Sequence, residues 1–66
     1  MPNGDEIMFE KLREVLKDLG LSKWALEKQF LLPYEIYIIS KRLKISENEA
    51  VELTRKYLNT ERKRYV

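Results

Sequence analysis

Neither cysteine nor histidine occurs anywhere in this chain of 66 residues, and that double absence constrains it more than anything it contains. A chain this short buries only about 60% of the surface its unfolded form exposes, so its core is thin. Such chains commonly lean on a disulfide, a metal or a partner subunit. Without cysteine there is no disulfide and no thiolate ligand. Without histidine the commonest zinc ligand and the usual general base are missing. Carboxylates alone still suit calcium or magnesium, but no calcium loop of the EF-hand pattern appears. No metal and no other cofactor is expected, and stability has to come from helix packing, capping or self-association.

Hydrophobic residues make up 44% of the chain and charged ones 36%, which is too apolar for a disordered segment. Abundant Lys, Glu and Arg beside the missing Cys and His give a thermophile-like composition. No run approaches 18 apolar residues, so no membrane span is expected. The opening Met1-Pro2-Asn3-Gly4-Asp5-Glu6 lacks the basic and apolar stretches of a secretory signal. The cysteine-free composition fits the cytoplasm. The net charge of +2 is unevenly spread: residues 1–31 hold five Lys/Arg against six Asp/Glu, and residues 32–66 hold eight against five. A basic end on a near-neutral body suits an anionic partner. Cations also favour helix C-termini, so a plain solvated helix end explains the same pattern.

The apolar residues recur with helical spacing nearly throughout. One domain over 1–66 is expected, with 1–4 as a flexible N-terminus and 60–66 as a basic C-terminal end. The first helix is placed at about 5–19, with Met8, Phe9, Leu12, Val15, Leu16 and Leu19 on one stripe. Asn3 and Glu6 are spaced as its capping box, and Gly20 stands where a left-handed residue ends it. Ser22 is read as the N-cap of a second helix, with Leu21 and Leu26 as a hydrophobic staple. That helix is expected to stop near Leu32, because the residue before Pro33 avoids helical geometry. Pro33 opens a third helix. Its inward face is Ile36, Ile39, Ser40 and Leu43, and its neighbouring face is Tyr34, Tyr37, Ile38 and Lys41. The fourth helix has the clearest start: Ser46 and Glu49 form a capping box, with Ile45 and Ala50 around it as the staple. Ala50, Leu53 and Tyr57 make its inward stripe, with Val51 and Leu58 beside it. It is expected to end near Asn59, or to continue through 60–65 when a partner is present. The connections are short, so successive helices must turn back or cross at an angle. The fold class is all-α, a compact bundle of three to four helices.

The segment from Ile36 to Leu53 resembles a helix-turn-helix, the hairpin of a broad DNA-binding superfamily. Ser40 supplies the small residue where the two helices cross. Leu43, Lys44 and Ile45 supply an apolar residue, the turn and a second apolar residue. Ser46 caps the next helix, and Ala50 and Leu53 pack it back. Lys44 stands where the pattern usually has Gly, and a left-handed non-glycine residue there costs about 1 kcal/mol. The presumed recognition helix opens with Glu47, Glu49 and Glu52, and carboxylates there face phosphate repulsion where base edges are usually read. Acidic first turns also arise from dipole stabilisation alone. A second stretch, about residues 9–30 with Gly20-Leu21-Ser22 at its centre, resembles the opening of phage-repressor domains. The likeness ends where Glu27 and Leu31 take the positions of the small residue and the glycine.

The resemblance implies a small nucleic-acid-binding protein, a transcription regulator or replication accessory factor acting on double-stranded DNA; the net charge is small for a monomer, so a homodimer is expected. Lys41, Arg42, Arg55 and Lys56 are the candidate phosphate contacts. Asn48 is the candidate base reader, able to pair bidentately with adenine. Arg62, Lys63 and Arg64 add non-specific attraction. The rival reading is a protein-interaction module: a small subunit, a viral or plasmid-encoded inhibitor, or an accessory domain of a larger enzyme. It rests on the apolar density of residues 30–39, more than one thin core is expected to hide. Leu31, Leu32, Tyr34, Tyr37 and Ile38 are its candidate partner or dimer surface. No catalytic residue is assigned and no enzyme is expected. Ser22, Ser40 and Ser46 have no histidine partner, and pairs such as Glu10/Glu14 and Glu49/Glu52 lie at the spacing of solvated helix faces.

Overall fold

The computed structural model describes the backbone of residues 4–65 and the side chains of 6–63. It is all-α, with α1 at Gly4–Asp18, α2 at Ser22–Lys28, α3 at Pro33–Leu43 and α4 at Glu47–Tyr65. The Asn3 half of the first capping box lies outside the described residues. The stripe behind it behaves as its spacing requires: Leu12, Val15 and Leu16 are buried, with Met8, Phe9 and Leu19 packed around them.

Gly20 ends α1 in a left-handed conformation, φ 71°. The turn closes through Leu21 N–H to Leu16 O at 2.8 Å and Gly20 N–H to Lys17 O at 3.1 Å. This paired closure satisfies carbonyls that the helix end leaves open. It also moves the start of α2. Leu21, not Ser22, is the N-cap, and no side chain caps the helix. The left-handed glycine delivers the chain straight into helical geometry, so Ser22 is already inside the helix.

α2 stops at Lys28, well short of Leu32. Gln29 turns left-handed at φ 62° and its amide donates to Leu26 O at 2.6 Å, closing the helix end. Leu32 is extended, ψ 154°, as its position before proline demands. Residues 29–32 thus form an open corner that sends Leu31 into the core and leaves Phe30 and Leu32 outside. Pro33 opens α3, and the Leu32 N–H donates to Glu35 Oε1 at 2.7 Å.

α3 makes its broadest packing against α4, while α1 packs on all three other helices. Small residues stand on both helices of that pair: Ala50 is fully buried, and Ser40 is buried with its hydroxyl donating to Tyr37 O at 2.7 Å. The corner between them uses Lys44 at φ 58°, ψ 44°. Ile45 N–H reaches back to Ser40 O at 3.0 Å. Ser46 Oγ then accepts the Glu49 N–H at 3.1 Å and donates to Glu49 Oε1 at 3.1 Å. α4 does not stop at Asn59; it runs on through Tyr65. The reason is a side-chain anchor: Glu61 is buried and accepts from Arg13 at 3.3 Å. Phe9 meets Tyr57 edge-on, ring centroids 5.7 Å apart. These contacts fasten the last turns of α4 to α1 within this one chain.

Two substitutions test the α3–α4 corner by denaturant unfolding. Ser46→Ala should cost about 1 kcal/mol by removing the cap of α4. Lys44→Gly should gain about 0.5–1 kcal/mol, because glycine takes the left-handed conformation without a Cβ clash. An unchanged midpoint in either variant contradicts the geometry described.

Candidate partner-binding groove

The open corner of residues 29–32 does not lie flat on α4. Between them runs an open groove of about 750 Å³. Its floor is apolar, made by buried Leu31 from the corner, Ile36 from α3 and Leu58 from α4, with Pro33 at the start of α3 beside them. Phe30 and Val51 also line it, 53% and 39% exposed. Its rim is polar and mostly basic, with Arg55, Lys56 and Arg62 against Glu47, and with the amides of Gln29, Asn48 and Asn59.

Each part is held by local chemistry. Trp24 is packed edge-on against Phe30 at 5.5 Å, which fixes the aromatic wall. Arg62 donates to Asn59 Oδ1 at 3.3 Å, and Arg55 lies 3.9 Å from Glu52, both in solvent. These rim contacts are weak enough to yield to a partner. The far end of the groove depends on the anchor of α4. The Arg13 guanidinium is held above its ordinary range, chiefly by the Tyr57 hydroxyl and, against some opposition from burial, by Glu61. Thr54, on the groove side of α4, is buried and its hydroxyl has no hydrogen-bond partner among the described residues.

The groove gathers only part of the expected sites. Asn48, Arg55, Lys56 and Arg62 share it, and so does Leu31, whose buried side chain is floor and core and not free surface. Lys41 and Arg42 lie elsewhere. Lys41 sits 5.3 Å from the centre of the Tyr37 ring, and Arg42 donates to Asp18 at 2.9 Å. Lys63 is exposed near the end of α4, and the Arg64 side chain lies outside the described residues. Leu32, Tyr34 and Tyr37 are exposed and Ile38 is half-buried. Phe30, Val51, Thr54 and Asn59 belong to the groove without having been expected there. The signal for Phe30 was Pro33, which forces an extended approach that a helix through Leu32 obscures.

A smaller depression of about 360 Å³ lies beyond Asn48 and Lys56, rimmed by Glu49 and Glu52. Among the described residues no three metal-ligating side chains come together, and no helix is long and apolar enough to cross a membrane. No family model, curated protein or solved structure matches the chain.

Thr54→Val should raise stability by about 1 kcal/mol, since it removes a buried hydroxyl that lacks a partner while keeping the shape. A loss of stability in urea unfolding would mean that the hydroxyl is satisfied in solution.

Proposed function

We propose that this chain is a non-enzymatic protein-binding module whose groove takes the apolar face of an amphipathic helix. The observation that carries the reading is the groove itself: exposed Phe30 and Val51 over a floor of Leu31, Ile36 and Leu58, rimmed by arginines and amides. Helix-in-groove recognition needs an apolar trough for side chains at i, i+3, i+4 and i+7, and polar groups along its edge to fix register. A cytoplasmic setting agrees with a chain that has no cysteine to oxidise.

Binding of duplex DNA through α3 and α4 is the second reading, for a regulator or replication accessory factor. It is favoured by the left-handed Lys44 corner and by Asn48, Arg55, Lys56 and Arg62 lying on one groove. It is weakened by Glu47 on that same groove and by Glu49 and Glu52 nearby, where phosphates would approach. Lys41 and Arg42 also stand apart from the other cations.

A helical peptide with leucines at i, i+3, i+4 and i+7, titrated into the ¹⁵N-labelled chain, separates the two. Amide shifts at Phe30, Val51 and Asn59, lost in Val51→Glu, are expected. No shift at these residues with millimolar peptide would overturn the groove reading. Duplex DNA at about 50 mM salt should leave the spectrum unchanged. Affinity that instead falls with salt at a log–log slope near −0.9 per contacted phosphate would establish the DNA reading.

A further inference from the structure

The groove is charged unevenly along its length, and the order of its charges narrows what can fill it. α4 forms one wall, with Glu47 at its start, Val51 and Arg55 along it, and Arg62 near its end. Glu47 and Arg62 are fifteen residues apart, about 22 Å of helix. The helix as a whole is sorted the same way. Residues 47–52 hold three glutamates and no cation, whereas residues 55–63 hold Arg55, Lys56, Arg62 and Lys63 against Glu61 alone. Glu61 is buried and paired with Arg13, so it does not offset those cations at the surface. Dipole stabilisation accounts for charges in the first and last turns of a helix. Arg55 and Lys56 stand in the middle of α4 and still line the groove, where Glu52 holds Arg55 only loosely, 3.9 Å away in solvent.

A helix seated along this wall needs acidic groups over Arg55, Lys56 and Arg62, a cation over Glu47, and its own apolar stripe against Phe30 and Val51. A uniformly acidic segment is repelled by Glu47, and a uniformly basic one by the arginines. The α4 of a second copy does not qualify: Ala50, Leu53, Tyr57 and Leu58 are at most 8% exposed and belong to its own core. We infer that the occupant is a separate amphipathic helix, acidic at its N-terminal end and basic towards its C-terminal end, lying antiparallel to α4; the inference rests on the groove reading above. Acids favour the first turn of any helix and bases its last, so a helix with this charge order is also the one that forms most readily. It matches the wall only when its N-terminus lies over Arg62 and its C-terminus over Glu47.

Three synthetic helical peptides test this. They share leucines at i, i+3, i+4 and i+7 and differ on the polar face: glutamine throughout, glutamate throughout, or glutamate in the N-terminal half and lysine in the C-terminal half. Each is titrated into the ¹⁵N-labelled chain at low salt. The acid-first peptide should bind about tenfold tighter than the glutamine peptide, the combined effect of two or three exposed ion pairs. It should also bind tighter than the all-glutamate peptide, and Glu47→Gln should remove that second difference. The variant Arg55→Gln/Arg62→Gln should lose most of the tenfold gain yet bind the glutamine peptide as the wild type does. Glu47, Arg55 and Arg62 are exposed, so circular dichroism should show unchanged helicity in both variants. A nitroxide on the N-terminus of the acid-first peptide should broaden amides near Arg62, and one on its C-terminus those near Glu47. An acid-first peptide that binds no tighter than the other two, or labels that broaden both ends alike, would overturn the inference. Binding of the glutamine peptide would then keep the groove, whereas no shift at Phe30 and Val51 with any peptide at millimolar concentration loses both.

Discussion

Each of the three connections between helices contains one residue in the left-handed conformation: Gly20, Gln29 and Lys44. The rest of the fold follows from those three corners. A chain with no disulfide and a thin core cannot correct a badly aimed helix by force, so the direction of each helix has to be set where the previous one ends. The left-handed residue does this by turning the chain sharply while its neighbours' N–H groups close the last carbonyls. Only Gly20 is free of steric cost there. Gln29 and Lys44 each oppose the fold by about 1 kcal/mol, and each is offset locally, Gln29 by the hydrogen bond its side-chain amide donates to Leu26 O and Lys44 by the Ser46 cap that follows.

What could be read from the sequence was what neighbours decide among themselves. The Ser46–Glu49 cap, the Gly20 stop and the stripe of Leu12, Val15 and Leu16 all depend on residues within two turns of one another. The inward faces of α3 and α4 were legible for the same reason, including Ser40 and Ala50 as the small residues between them. The end of α2 was not. Helical spacing continues through Phe30, and nothing local says that Leu31 goes inward while Leu32 stays out. That choice is made by the core between α1, α3 and α4, which offers one apolar place and not two. The groove was illegible for a related reason. It joins Phe30 to Val51 and Asn59, more than twenty residues away, and exists only because α2 ends early.

The extent of α4 shows the same division between near and distant causes. Its last turns are polar and basic, good helix formers that carry no apolar stripe to hold them on the core past Asn59. Glu61 supplies the reason from a distance, through Arg13 on α1. A buried carboxylate needs a charged or hydrogen-bonding partner to be tolerated at all, so the pair specifies position more than it adds stability. Its consequence for function is geometric: it extends the groove wall to Arg62 and spaces that cation from Glu47 by a fixed length of helix.

That spacing also bears on why one face does not suit two kinds of partner at once. Reading a base with Asn48 requires α4 to enter a groove of the duplex by its first turns, where Glu47 must approach phosphate. Seating a helix against α4 covers Asn48 and Arg55 and turns Glu47 from a liability into a register mark, because it then meets a cation. The same carboxylate therefore opposes one partner and orients the other. Its sign, and not the modest excess of positive charge over the whole chain, is the ground on which we propose a helical protein partner over DNA.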